Sequence, residues 1–206
     1  MVSPWSLRLS RVLGMLAVVC AITWPLVLDP SSVLLGFPSI DSQDTVMLRG
    51  LIADLLLHPW DWPESGLVYW PQGYPVGLLT PNLLDHVTAA PFVWLLPFPW
   101  ADNLWWVAVL LLNGLCAHRL GRAVGGSEGA GWLAAIALLT SEPVLRETNL
   151  HHAPQAMVLW GPLYLDALLR LRTSGRLRTA ALAGLWLALA DQSYWYYGLF
   201  LGAGSL

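Results

Sequence analysis

Two carboxylates, Asp41 and Asp44, follow the first apolar run of the chain in the stretch Asp41-Ser42-Gln43-Asp44. A carboxylate beside apolar surface can have a raised pKa and act as a general base. Helix capping is an equally good interpretation, with Asp41 as N-cap of a helix near Ser42 and Asp44 in a capping-box position. The sequence therefore predicts either a catalytic pair, with Asp41 and Asp44 as candidates, or an ordinary helix start.

A second group of reactive side chains lies in the eleven residues Glu142–His152. Arg146, Glu147, His151 and His152 could bind an anionic headgroup or move protons. Adjacent histidines diverge by about 100° on a helix and do not form a metal motif by themselves. The alternative interpretation is a polar loop in which Arg146 pairs with a neighbouring glutamate.

Asp166 and Asp191 fall within apolar runs, where ionisable residues are costly and mark a functional site or a cavity. For Asp166 an ion pair with Arg170, four residues later, is the simpler explanation. Asp191 has no basic neighbour, and about 13 residues separate it from Arg178, which is about 20 Å of helix. We therefore include Asp191 among the candidate substrate-binding residues, beside a cavity open to the outer side.

The elements that must position these residues are apolar helices. Of 206 residues, 56% are hydrophobic and 11% are charged, and all ten basic residues are arginine. Soluble domains have about 25% charged residues, so lipid is the expected solvent. A net charge of −3 argues against nucleic-acid binding. The five candidate spans are about 20 residues or shorter, and they are Val12–Leu28, Leu104–Ala117, Ala130–Leu139 (with Ser127 as N-cap), Pro154–Leu169 and a helix from Thr179.

The arginines orient this set. With the N-terminus in the cytoplasm, eight of ten arginines lie inside and only Arg49 and Arg146 lie outside, which follows the positive-inside rule. Ten of the 13 acidic residues then lie outside, among them the acidic residues of Asp41–Asp44 and of Glu142–His152. We predict a multi-pass protein of the inner (cytoplasmic) membrane with its chemistry on the outer face. The run from Val12 is too long for a cleaved signal peptide, so the first helix is expected to be retained.

The predicted fold is all-α, a polytopic transmembrane bundle with about five spans in one membrane domain, residues 1–206. Residues 1–28 contain the first span, 29–102 an outer loop with interfacial helices, and 103–206 about four further spans. Within the loop, Thr45–Leu57 and Asn82–Ala90 are predicted helices, the latter with Thr80 as N-cap. The prolines and aromatics of Pro59–Pro81 exclude a regular helix there, and Pro91 is expected to end the second helix.

No cofactor is predicted. The sequence lacks a phosphate-binding loop, the H-E-x-x-H zinc motif and the G-x-S-x-G nucleophile motif. Cys20 and Cys116 lie far apart in apolar runs, without metal-ligand spacing. A divalent metal has no supporting motif.

The layout resembles the N-terminal part of the GT-C superfamily of membrane glycosyltransferases, which includes RgtA/B/C/D-like, YfhO-like and protein-mannosyltransferase-like groups. The resemblance is one of order and loose motif. The matching pieces are Asp41 and Asp44 after the first helix, Tyr69–Gly73, Glu142–His152 running into Trp160–Tyr164, and Ser193–Gly198.

The resemblance implies transfer of a sugar from a polyprenyl-phosphate-linked donor in the outer leaflet. Asp41 or Asp44 would activate the acceptor or assist the leaving group, and Arg146 or His152 would meet the phosphate. The lipid bilayer and the lipid-linked donor are then the expected partners. Such enzymes have about twice as many helices, so we expect 206 residues to be a portion of a longer chain. The competing hypothesis is a non-enzymatic membrane protein, either a transporter half or an assembly subunit, with paired ionisable residues near the midplane.

Overall fold

The computed structural model describes residues 4–59, 64–65, 74–75 and 83–205, and within them the fold is all-α with one small ladder. The helices are α1 (Pro4–Ile22), α2 (Ile40–Leu57), α3 (Leu84–Leu95), α4 (Trp100–Gly125), α5 (Glu128–Leu139), α6 (Glu142–Asn149), α7 (Ala153–Ala156), α8 (Trp160–Ser174), α9 (Leu177–Ser193) and α10 (Trp195–Ala203), with a 3₁₀ turn at Leu26–Leu28. Two-residue strands β1 (Glu64–Ser65) and β2 (Tyr74–Pro75) pair antiparallel.

Among the described residues, two helices are long and apolar enough to cross a bilayer, Trp5–Ile22 within α1 and Trp100–Gly125, which is α4. The predicted spans after α4 form shorter helices, so a bundle of about five spans stays a prediction. The first helix ends at Ile22 instead of Leu28, and a 3₁₀ turn follows. The fourth predicted span is interrupted, because residues 157–159 separate α7 from α8.

Helices α4 and α5 form a closely packed hairpin. Gly126 ends α4 in the left-handed region, at φ 66°. Ser127 then caps α5 as predicted, because its side chain accepts a hydrogen bond from the Ala130 N–H at 3.1 Å. The helices touch through small residues: a Cβ on Gly121 would come within 2.6 Å of the Ala130 carbonyl oxygen. Only glycine fits there.

The elements of the outer segment differ from the predictions in three places. Helix α2 begins at Ile40, five residues before the predicted Thr45. Helix α3 begins at Leu84 with Leu83 at the N-cap position instead of the predicted Thr80, and it continues through Pro91 to Leu95. Glu142–Asn149 is a helix instead of a loop. The prediction for Pro59–Pro81, including Tyr69–Gly73, falls almost entirely outside the described residues.

Two apolar clusters join the helices. One packs Trp105 and Trp106 of α4 against Ala89 of α3 and Met157. The other packs Met15 and Val19 of α1 against Leu110 of α4 and Leu139 of α5. Helices α1 and α4 therefore lie side by side, with the N-terminal half of α4 in the centre of the described part of the fold.

Charged residues lie at both ends of α4. At one end, Glu128 binds Arg11 through both carboxylate oxygens, at 2.7 and 3.0 Å, and contacts Arg122 at 3.1 Å and His118 at 2.9 Å. At the other end lies Asp102, in the first turn of α4. Asp102 and Arg119 are about 25 Å apart along the helix axis, which is close to the hydrocarbon thickness of a bilayer.

Candidate functional site

The first turn of α2 presents Asp41 to solvent. Ser39 caps this helix: its hydroxyl accepts from the Ser42 N–H at 3.1 Å, and the Ser42 hydroxyl accepts from the Ser39 N–H at 2.9 Å. The capping interpretation of Asp41 and Asp44 is therefore wrong, because serines already fill both capping-box positions. Asp41 is 64% exposed, and its side chain is available for a contact elsewhere.

That contact is with His152, 111 residues later in the chain. The Nε2 atom of His152 lies 3.1 Å from an oxygen of Asp41, and its Nδ1 atom lies 2.6 Å from an oxygen of Glu147. The His152 backbone N–H also donates to the Glu147 carbonyl at 2.9 Å, which fixes the ring beside α6. We call Asp41, Glu147 and His152 the acidic–histidine cluster.

The electrostatics of this cluster favour the charged imidazole. Partial burial opposes the imidazolium, but the hydrogen bonds from Asp41 and Glu147 and their two charges outweigh burial and raise the pKa of His152. Arg146 lies at the edge, with its guanidinium 3.1 Å from Glu147 and largely exposed. The predicted pairing of Arg146 with a neighbouring glutamate is confirmed. The cluster can hold a proton between two carboxylates and offers an exposed arginine to an anion.

A second network lies beneath it and is almost completely buried. One oxygen of Asp102 accepts from Arg49 of α2, and the other lies 3.0 Å from Nε2 of His151. The Arg49 guanidinium packs over the Trp105 ring at 3.8 Å, a cation–π contact in a desolvated place. Trp106 packs edge-on against the His151 ring, with centroids 5.3 Å apart.

The two adjacent histidines thus belong to different networks. His151 has a left-handed backbone, with φ 60°, and this turn directs its ring into the interior while His152 faces Asp41. The Thr45 hydroxyl donates to the His151 carbonyl at 3.2 Å, so α2 contacts both histidines. Both histidines were candidates for substrate binding, but the His151 side chain is 1% exposed whereas that of His152 is 28% exposed.

Sequence reasoning missed Arg49 and Asp102 as partners. From the sequence alone, Arg49 is one of the two arginines expected outside, and residue 102 is the end of the expected outer loop. An ionisable residue among apolar helix residues indicates a functional site or a buried partner, and this rule applies to both Arg49 and Asp102. Their pairing could not be found because it depends on how α2 packs against α4.

Asp85 and His86 in the first turns of α3 form a further buried pair of titratable residues. Burial raises the pKa of Asp85 to about 6, although the nearby Arg49 charge lowers it. Burial, together with the same charge, lowers the pKa of His86 to about 4. Their closest ring nitrogen and carboxylate oxygen are 3.7 Å apart, too far for a hydrogen bond. Burial therefore favours the neutral form of both groups: His86 is neutral at pH 7, and Asp85 keeps its proton up to about pH 6.

An apolar groove of about 520 Å³ opens between α2 and the segment 34–38, with His151 in its lining. Gly36 is required there: its φ is +95°, and a Cβ would lie 2.6 Å from the Asn149 carbonyl oxygen. Ser42 and Gln43 line the groove, whereas Asp41 lies on another side of α2. The groove and the acidic–histidine cluster are thus neighbours that share helix α2.

The other aspartates considered in the sequence analysis do not contact the acidic–histidine cluster among the described residues. Asp44 is exposed on α2, and Asp191 is exposed on α9, where its carboxylate packs against Gly198. The predicted pair of Asp166 and Arg170 is confirmed at 3.0 Å, and Arg119 joins it. Among the described residues, no group of three or more His, Cys, Asp or Glu side chains has an arrangement that could hold a metal ion.

No family model, curated protein or solved structure matches this chain. The resemblance to GT-C glycosyltransferases therefore stays a prediction, and any assignment of function depends on the site itself.

Proposed function

We propose that this chain is a membrane glycosyltransferase of GT-C type, or the N-terminal portion of one, that transfers a sugar from a polyprenyl-phosphate-linked donor. The observation that supports it most is the acidic–histidine cluster, which joins Asp41 to His152 and Glu147 with an exposed Arg146 beside them. It brings together two of the four stretches on which the resemblance depends.

In this proposal Asp41 is the general base. Its exposed oxygen removes the proton from an acceptor hydroxyl as that oxygen attacks the anomeric carbon of the donor sugar. The bond from that carbon to the phosphate oxygen breaks, and polyprenyl phosphate leaves with the bonding electrons. Arg146 stabilises the phosphate charge. His152, held by Glu147, is a positioning residue that orients Asp41.

The groove beside α2 suits the apolar chain of such a donor. Its lining is mostly aliphatic and aromatic, including Leu34, Phe37, Val46 and Phe98. The groove and the cluster share helix α2, so in this proposal the donor lies along this helix and its phosphate reaches around the first turn toward Asp41.

The proposal places the protein in the inner membrane as a multi-pass protein with its N-terminus in the cytoplasm. The arginines Arg11, Arg119 and Arg122 lie at one end of α4, and the acidic–histidine cluster lies toward the other. The positive-inside rule then puts the cluster on the outer face. Arg49, one of the two arginines assigned outside, is neutralised by Asp102.

The test is sugar transfer in membranes that contain the full chain, supplied with radiolabelled polyprenyl-phosphate sugars. We expect Asp41→Asn to lower the rate by about 10²–10⁴-fold, the usual contribution of a general base. Asp54→Asn is the matched control, because Asp54 is an exposed aspartate on the same helix, 3.3 Å from the exposed His58. Membrane insertion is measured for each variant.

Asp44→Asn and the Asp41/Asp44 double variant complete the series. Full activity in both single variants and in the double variant would overturn the assignment. A wild-type chain that inserts but releases no sugar from any donor would favour the non-enzymatic alternative. Arg49 and Asp102 are a buried ion pair of the kind that this alternative predicts, but Asp102 is in the first turn of α4 instead of its middle.

A further inference from the structure

A cavity of about 230 Å³ lies between α2, α3 and the first turn of α4, next to the groove beside α2. The charged side chains of Arg49 and Asp102 line it, and the rest of its lining is Val46, Gly50, Ala89, Val93, Leu96, Phe98 and Ala101. An apolar cavity of about 150 Å³ holds benzene. This cavity therefore has room for a six-membered ring that carries a substituent.

Arg49 brings unused hydrogen-bond donors to this cavity. Its Nη1 atom donates to Asp102, but its Nε and Nη2 atoms have no partner among the described residues, although the side chain is only 2% exposed. Trp105 packs on the flat face of the guanidinium at 3.8 Å and does not accept from N–H groups that lie in its plane. A buried charged donor without a partner is costly, so an oxygen atom in the cavity is stabilised beside Arg49.

The charges around the cavity favour a neutral ligand. Asp102 already neutralises Arg49. A second acid, Asp85, lies one turn before Ala89 on the same face of α3, and the charge of Arg49 reaches it, since that charge lowers the pKa of Asp85 against the larger effect of burial. His86 is neutral at pH 7 and adds no positive charge. An anion in the cavity would therefore be repelled by two carboxylates.

A hydroxyl group satisfies both the donors and the acceptors that remain. A carboxylate can accept about four hydrogen bonds, and Arg49 and His151 use only two of the positions on Asp102. A hydroxyl oxygen accepts from Arg49, and its proton is donated to Asp102, which lines the same cavity. A carboxylate ligand has no proton to donate.

We propose that this cavity binds a neutral apolar alcohol, with its hydroxyl between Arg49 and Asp102 and its hydrocarbon body against Ala89, Val93 and Phe98. Phe98 is 59% exposed, so the cavity reaches the surface of the described fold on that side. The site uses neither Asp41 nor His152 and is therefore independent of the proposed sugar transfer.

The test is equilibrium dialysis of the purified full chain in detergent at pH 8, with binding counted above that of protein-free micelles. The probes are cyclohexanol, chlorocyclohexane and cyclohexanecarboxylate, which share one ring. We expect saturable binding of one cyclohexanol per chain, about tenfold tighter than that of chlorocyclohexane, because a hydrogen bond to a charged group contributes about that factor. Cyclohexanecarboxylate should bind more weakly than cyclohexanol.

Two variants locate the site. A Cβ on Gly50, which lines the cavity, meets no atom within 4 Å, so Gly50→Leu fills space there without changing any charge and should lower cyclohexanol affinity at least about tenfold. Gly184→Leu is the matched control, because a Cβ at Gly184 of α9 also meets no atom within 4 Å. Arg49→Lys keeps the charge but has a single nitrogen for Asp102, and it should bind cyclohexanol and chlorocyclohexane equally.

Thermal melts show which variants fold, and Gly50→Leu keeps both Arg49 and Asp102, so it tests the site even where Arg49→Lys does not fold. No saturable binding of cyclohexanol by the wild type would mean that the cavity holds water only, and this result would overturn the proposal. Equal wild-type affinity for cyclohexanol and chlorocyclohexane, tighter binding of cyclohexanecarboxylate, or an equal loss in Gly184→Leu would each do the same.

Discussion

Arg49 and Asp102 form an ion pair that is almost completely removed from solvent, although 53 residues separate them in the chain. Their side chains are 2% and 4% exposed. The pair joins α2 to the first turn of α4, and His151 completes the hydrogen bonding of Asp102. It is therefore the connection that holds the candidate site against the central helix.

Breaking this pair should destabilise the protein. Arg49→Met leaves the Asp102 charge buried with no cation, and we expect the free energy of unfolding to fall by about 3–5 kcal/mol. Replacing both partners, in Arg49→Met/Asp102→Leu, should recover part of that loss because no unpaired charge remains. Unfolding titrations with sodium dodecyl sulfate measure both. A single variant as stable as the wild type would show that the pair does not hold α2 in place.

The acidic–histidine cluster should make stability depend on pH. The pKa of His152 is raised above its ordinary 6.5 in the folded protein, so folding favours the protonated imidazole. Its contribution is complete below pH 6.5 and is lost as the pH rises through the folded pKa. The difference in melting temperature between the wild type and His152→Gln should therefore shrink with rising pH.

The exposed His58 provides the control for that series. His58→Gln replaces a histidine whose contact with Asp54 is at the surface, and its effect on melting should be small at every pH. If the melting temperatures of His152→Gln and the wild type differ by the same amount at pH 5.5 and at pH 8.5, His152 does not bind its proton more tightly in the folded state.

Asp85 should also make the protein less stable as the pH rises, but here the cause is burial of the carboxyl group. Burial raises the pKa of Asp85 from 3.8 to about 6, and both of its oxygens lack hydrogen-bond partners among the described residues. The folded state binds the proton more tightly than the unfolded state, so stability is lost as the pH rises through about 6. Asp85→Asn, which cannot ionise, should be more stable than the wild type at pH 8 and nearly equal at pH 4.

His86 does not obscure this comparison. Its pKa, lowered to about 4 by burial and by Arg49, gives the opposite pH dependence, but it does so in both proteins and cancels in their difference. The exposed Asp54→Asn should show no such gain above pH 6. A wild type that is more stable than Asp85→Asn at pH 8 would mean that the ionised carboxylate is favourable beside Arg49.

Local patterns predicted those features that depend on neighbours in the chain. The N-cap at Ser127 could be predicted because a serine stands just before an apolar helix. The ion pair of Asp166 and Arg170 could be predicted because residues four apart lie on the same face of a helix. The helix starts at Ile40 and Leu84 were placed wrongly. In the first case the serines at 39 and 42 cap the helix where an aspartate was expected to do so.

The sequence by itself determined the all-α class and, among the described residues, two apolar helices long enough to span a bilayer, because composition and hydropathy act over neighbouring residues. Only the tertiary structure decided that Asp41 meets His152 and that Arg49 meets Asp102. Those contacts depend on how α2 packs against α4 and α6, and the packing angle and register of distant helices leave no local pattern in the chain. His151 and His152 are adjacent in the chain, but the backbone turn at His151, with its positive φ, puts His151 in the buried network and His152 in the exposed one.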